Sequence, residues 1–266
     1  MFPFRNILLP TELSVNGQTA LQYATAFARH GDGRVVLFSV QDAKTGGNEV
    51  AQAAIDQDID LITVETRDRS RLTRAFGSSL AEDIIAESPC AVLAVRPPQR
   101  DFIDGQSEIQ LKRVLLATNF RPSSVAATQL ATQITNQLSA ELHAVYVIGD
   151  YFEQISAMFP EGGLAALTRL RSYVQERMAQ LLRGGSATHI VEGRPYQEIV
   201  KLADTLQADL IVIGTAVHGS LFGSSHVLGS EIERVIRNAP CPVLCVPAAR
   251  VVTPLPALVT QIVPQT

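Results

Sequence analysis

Gly214-Thr-Ala-Val-His-Gly-Ser-Leu-Phe-Gly-Ser-Ser-His-Val-Leu-Gly-Ser230 is a glycine-rich stretch set between two regular elements. Before it, Asp209, Leu210, Ile211, Val212 and Ile213 make a short apolar run, the pattern of a strand buried on both faces. After it, Glu231-Ile-Glu-Arg-Val-Ile236 spaces its apolar residues as an amphipathic helix does. A turn of this kind lets backbone approach a ligand closely, and the free N–H groups of the following helix favour an anion, phosphate above all. The same residues also fit a plain helix start, with Ser230 as N-cap and Glu233 closing a capping box.

Outward from this stretch the chain repeats itself. Asn6 to Leu9 reads as a buried strand, followed by a helix from about Asn16 to His30, ended by Gly31 and Gly33, and a second strand from Arg34 to Val40. Val114-Leu-Leu-Ala-Thr-Asn-Phe120, a helix from about Ser123 to Leu138, and Glu141 to Val147 restate that order at an offset of 107, which places Thr11 on Thr118, Glu12 on Asn119 and Val40 on Val147. A second block, Asp60 to Thr66, matches Asp209 to Thr215 at an offset of 149. The offsets differ by 42 residues, so the first copy lacks a helix (Leu164 to Arg183 in the second) and a strand near Thr188 to Val191. Both copies close alike, with Ser88-Pro-Cys-Ala-Val-Leu-Ala-Val95 and Ala239-Pro-Cys-Pro-Val-Leu-Cys-Val246 as last, buried strands.

Strands alternating with helices predict an α/β protein built from right-handed βαβ units on parallel sheets. The expected division is 1–98 for the shortened copy, 99–110 for a polar linker, 111–249 for the complete copy and 250–266 for an extended, proline-containing tail.

Composition narrows the function classes. The 266 residues are 46% hydrophobic, ample for packed cores. The 22 basic residues stand against 26 acidic ones and form no long block, which argues against nucleic-acid binding by phosphate neutralisation. No run of about 18 apolar residues points to a membrane span, and Met1-Phe-Pro-Phe-Arg-Asn6 lacks the pattern of a signal peptide, so the expected location is the cytoplasm. Cys90, Cys241 and Cys245 form neither a disulfide framework nor a metal-ligand set and read as buried free thiols. His218 and His226 flank the glycine-rich loop without a Cys, Asp or Glu set at ligand spacing.

The chain resembles the universal stress protein family in its tandem form. The resemblance rests on the first strand ending in Thr118-Asn119, on the segment from Glu198 to Gly214-Thr215, and on the ending from Gly229-Ser230 to Ala239-Pro-Cys-Pro-Val-Leu-Cys-Val246. It implies a five-stranded parallel sheet in the order 3-2-1-4-5, with the strand missing from the first copy at a sheet edge. It also implies that Ala91–Val95 and Val243–Val246 pair as an intramolecular pseudo-dimer interface, leaving the chain a monomer or homodimer.

ATP-binding members of that family resemble one another in a Gly-x2-Gly-x9-Gly-Ser/Thr loop and an Asp after the first strand. Carried over, the cofactor would be ATP or a related adenine nucleotide, and the binding residues Thr118, Asn119, Val147, Gly214, Gly219, Gly229 and Ser230. The plain alternative for Thr118, Asn119 and Val147 is strand-end packing. This sequence departs from the pattern in that four residues separate Gly214 from Gly219, Val217 stands where a glycine is expected, and Asn119 replaces the Asp. The first copy has Glu65 and Asp68 at the first two glycine positions, where carboxylates would repel a triphosphate. Its Arg67, Arg69, Arg71 and Arg74 make a charged, solvated loop or hold an anion. The expected role is a regulatory, stress-response binding module. The rivals are a nucleotide-free interaction scaffold and a slow ATP hydrolase, the last without a catalytic base, nucleophile or metal set in the sequence.

Overall fold

Runs of Val, Ile and Leu interrupted by amphipathic segments dictate layers: strands apolar on both sides need helices on both faces. The computed structural model describes residues 2–11, 17–40, 46–66, 80–97, 99–149, 160–182, 186–215 and 229–248, with side chains of 160–164 left aside. The elements in chain order are β1 (Asn6–Thr11), α1 (Gln18–His30), β2 (Arg34–Ser39), α2 (Gly46–Asp56), β3 (Leu61–Glu65), α3 (Leu80–Glu87) and β4 (Ala91–Val95) in the first half. The second half continues with β5 (Arg113–Ala117), α4 (Pro122–Leu138), β6 (Glu141–Ile148), α5 (Pro160–Leu182), β7 (Ala187–Glu192), α6 (Pro195–Thr205), β8 (Leu210–Thr215), α7 (Ser230–Asn238) and β9 (Val243–Pro247).

All nine strands form one sheet, β2-β1-β3-β4-β9-β8-β5-β6-β7. The second half reads 3-2-1-4-5 in its own numbering, and the first half is the same order without its third strand, so β2 becomes an edge. Neighbours are parallel except β4 and β9, which pair antiparallel with Leu93 opposite Leu244. The two expected sheets are therefore a single one, joined at the strands that end each copy. Alternation along the strands feeds two cores. Val114, Leu116, Leu210, Val212 and Leu244 face the layer of α1, α4 and α5. Leu115, Ala117, Ile211, Ile213, Val243 and Cys245 face the layer of α2, α3, α6 and α7.

Local choices agree with this plan. Pro122 and Pro195 open α4 and α6 at positions where a missing N–H costs nothing. At the turn from α1 to β2, a methyl group on Gly33 would meet the Arg5 carbonyl oxygen at 1.9 Å, so only glycine lets the chain pass so close to the start of β1. The predicted capping box at α7 does not form. Gly229 is the N-cap, Ser230 is the first helical residue and is exposed, and Glu233 pairs with Arg237.

The 99–110 segment is packed rather than a free spacer. Phe102 is buried edge-on against Tyr23, whose hydroxyl donates to Asp101 at 2.6 Å. Arg100 reaches across to α6, donating to the carbonyls of Ala208 at 2.9 Å and Ala203 at 3.3 Å and pairing with Asp204. The 250–266 tail and the loop with Arg67, Asp68, Arg69, Arg71 and Arg74 lie outside the described residues.

Candidate functional site

In the second half, β5 has β6 on one side and β8 on the other, so chain connections diverge above their carboxyl ends. Crevices at such reversals are where open α/β sheets bind ligands. A cleft of about 210 Å³ lies there, lined by Thr118, Asn119, Ser124, Val147, Gly214 and Glu231 among others. Pro195 and Ile199 of α6 and Ile232 and Val235 of α7 complete its described wall. The N-terminal turns of α4, α6 and α7 thus converge on one space, each bringing the positive end of a helix dipole.

The turn leaving β5 is built to be rigid. Asn119 Oδ1 accepts hydrogen bonds from the Ser124 hydroxyl at 2.7 Å and the Arg121 N–H at 3.1 Å, while Thr118 Oγ1 accepts the Phe120 N–H at 3.3 Å. Phe120 sits at φ 60°, outside the usual range for a side chain of its size, and stacks on Tyr146 with centroids 5.0 Å apart. The Asn119 side-chain carbonyl, at the position of the family's Asp, is therefore engaged within the protein. What Asn119 can offer a ligand is its amide donors.

Gly214 is also held by its surroundings. An added Cβ would lie 2.5 Å from the Ser123 carbonyl carbon and oxygen and 2.7 Å from the Ser124 nitrogen, so close packing of β8 on the start of α4 already requires glycine. At Gly229 the nearest atom to an added Cβ is Ile232 Cδ1 at 3.9 Å, and space is open. Of the seven residues carried over, Thr118, Asn119, Val147 and Gly214 line the cleft. Gly229 and Ser230 are not among its lining residues but directly precede Glu231, which is; Gly219 lies outside the described residues, as do His218 and His226.

Glu231 is the residue that the sequence reading missed. Its Oε2 accepts the Tyr196 N–H of α6 at 3.1 Å and its Oε1 accepts from Arg234 at 3.0 Å, while the Arg234 guanidinium lies over the Tyr196 ring. The carboxylate thereby ties the start of α7 to the start of α6, and Arg234 balances its charge. Its position immediately after Gly229-Ser230 was the available signal.

The described residues of the first half show a different side chain at the position of Glu231. Cys90 corresponds to Cys241 at an offset of 151, which places Leu80 on Glu231; Val40 corresponds to Val147 and Gly46 to Pro195. A methyl on Gly46 would meet Leu80 Cδ1 and Val40 Cγ1, each at 2.6 Å, so leucine packs where the second half carries a carboxylate beside open space. Glu65, at the Gly214 position, is described as the half-buried end of β3.

Comparison with known proteins agrees with this architecture. The model of the universal stress protein family matches residues 43–96 and 110–247. A universal stress protein of Methanocaldococcus jannaschii is 34% identical over 145 residues, covering 51% of this chain and 81% of its own length. One from Thermus aquaticus is 32% identical over 138 residues, covering 51% of this chain and 98% of its own. Among solved structures, a Pseudomonas aeruginosa protein described as functionally unknown superposes with TM-score 0.65 at 19% identity, covering 92% of this chain and 93% of that one. A universal stress protein from Archaeoglobus fulgidus gives 0.57 at 22% identity, covering 91% and 98%. Among the described residues no helix is long and apolar enough to cross a membrane. With two matching segments that together span most of its length, this chain belongs to the universal stress protein family.

Proposed function

We propose that the chain is a tandem, cytoplasmic stress-response module whose second half binds ATP or a related adenine nucleotide. The domain division is that of the sequence: 1–98, a 99–110 linker, 111–249 and a tail. The observation that carries the reading is the convergence of three helix N-termini on the cleft at the β5/β8 reversal. That arrangement favours a phosphate group, with Val147 and Ile199 as the apolar wall for a base. Asn119 acts as a donor to the nucleoside, and Gly219, Gly229 and Ser230 complete the loop around the phosphates. Leu80 and Glu65 leave the first half without the equivalent site and give it a structural role.

The test is mass spectrometry of ligand released from freshly purified, denatured protein, paired with ATP titration of ligand-free material. Recovered adenine nucleotide, or saturable ATP binding weakened by Gly229→Val, is the expected result. Neither would overturn the reading.

A second reading is favoured by the open edge. β2 lies at the sheet's end with Leu37 65% exposed, a strand edge of the kind that pairs with another chain. In that reading the protein is a nucleotide-free scaffold, and a partner captured by wild type but not by Leu37→Lys would support it.

A further inference from the structure

Outside the cleft, the second half carries a pair of imidazoles that its proposed function does not use. His143 on β6 and His189 on β7 project from the same face of the sheet as Val145 and Val191, with Val145 the register partner of His189. His143 Nδ1 and His189 Nε2 stand 3.2 Å apart, and the rings lie edge to edge, 24° from coplanar, with centroids separated by 5.5 Å. On its far side His143 presents Nε2 to Glu141 Oε2 at 3.5 Å, and the same carboxylate oxygen lies 3.8 Å from Arg113 Nε. The His143 side chain is 16% exposed and that of Glu141 71%, so the pair is sheltered yet open to solvent on one side.

We propose that His143 and His189 together bind a borderline divalent transition-metal ion, such as Zn²⁺ or Cu²⁺, with water completing its coordination and Glu141 supporting His143 from behind. The chemistry follows from three features. Imidazole nitrogens suit Zn²⁺, Cu²⁺ and Ni²⁺ and not the hard oxygen-seeking ions. Metal–nitrogen bonds of about 2.0–2.1 Å at angles from square to tetrahedral place two ligating nitrogens about 2.9–3.4 Å apart, which brackets the spacing here. The Glu141 carboxylate, 3.5 Å from His143 Nε2, stands on the side away from His189, the place of the outer-shell carboxylate that accompanies most ligating histidines.

Without an ion, the facing nitrogens share one hydrogen bond. Metal capture replaces that proton and needs only a tilt of each ring, since the strands already hold the two side chains together. Among the described residues no group of three or more His, Cys, Asp or Glu is placed to hold a metal, so the ion keeps water ligands and stays exchangeable. The site bridges β6 to the edge strand β7, so an ion there stabilises the strand that the first half lacks.

The experiment uses the full chain after chelator treatment, titrated with CuCl₂ and followed by electron paramagnetic resonance, with ZnCl₂ as competitor. Expected is one saturable ion with two nitrogen donors, lost in His143→Gln and in His189→Gln and retained in the His218→Gln/His226→Gln double variant. Glu141→Gln should weaken it by about 10-fold or more. Circular dichroism and melting in chelator establish that each variant is folded; should His143→Gln fail there, His189→Gln on the edge strand decides alone. Saturable binding unchanged by His189→Gln, or the absence of a two-nitrogen signal, would overturn the proposal. Unchanged affinity in Glu141→Gln would overturn the role given to that carboxylate.

Discussion

Replacing Gly214 by alanine separates packing from ligand approach as the reason for glycine at the end of β8. The new Cβ would lie 2.5 Å from the Ser123 carbonyl, and ordinary contact begins at 3.4 Å, so about 0.9 Å of separation must be found between β8 and the first turn of α4. The obstructing atoms are backbone, which no rotamer change can move aside. Overpacking of this kind costs about 1–3 kcal/mol. Shifting Ser124 also strains its hydrogen bonds with Asn119, adding about 1 kcal/mol. The reduced freedom of the unfolded chain returns about 0.4–1 kcal/mol. A net loss of about 2–3 kcal/mol remains, which at about 2–4 °C per kcal/mol lowers the melting temperature by roughly 4–12 °C. Gly229→Ala is the control: its backbone, at φ −59° and ψ 133°, suits any residue and its Cβ would meet nothing closer than 3.9 Å. Only the poorer N-cap preference of alanine counts there, less than about 1 kcal/mol. Urea unfolding of both variants with unchanged m-values measures the difference. Gly214→Ala within about 0.5 kcal/mol of wild type, or less destabilised than Gly229→Ala, would refute the packing argument.

Three further outcomes are expected. Arg100→Ala should cost about 1.5–3 kcal/mol, because it removes the guanidinium donor to the Ala208 carbonyl just after α6 and the second donor to Ala203, whose oxygen keeps the Ala208 N–H; Asp204→Asn should cost less, since that carboxylate is 68% exposed. Asp209→Ala and Asp60→Ala should each destabilise by about 1.5–3 kcal/mol, by removing an oxygen that accepts two backbone N–H groups at the start of β5 or β1, as read by chemical denaturation. Burial pushes the thiol of Cys90 up to about 11 and those of Cys241 and Cys245 up to about 12, from an ordinary 9.0. The folded protein should therefore resist a thiol reagent at pH 8 and react only when unfolded. Because the folded-state values are raised, their contribution to stability is complete below pH 9 and is lost as pH rises toward 11 to 12, where the unfolded chain has already released its protons.

The repeat made much of this fold legible. Asp60 and Asp209 were paired by an offset in the sequence, and the structure gives them one task, clamping the entry of the first strand in each half. Likewise α2 and α6 keep that offset throughout, and the lost helix and strand fall at the edge, where removal leaves the core closed. The pairing of β4 with β9 follows from the family resemblance and its antiparallel sense from the structure, since nothing in two runs of apolar residues says which will be neighbours. What stayed illegible depends on contacts between distant residues. The engagement of Asn119 is not visible in the sequence because Ser124 becomes its partner only when the turn closes. Gly214 looked like a ligand glycine because the backbone it must clear belongs to α4. Most consequential is the pair Leu80 and Glu231, equivalent positions on equivalent helices over the same strand ends. Leucine there meets Val40 and Gly46 and closes the space, whereas glutamate is drawn to the Tyr196 N–H and Arg234 and leaves it open. One backbone plan used twice thus places, among the described residues, a packed leucine in one half and a carboxylate beside a cleft in the other, and the difference rests on which neighbour each side chain finds.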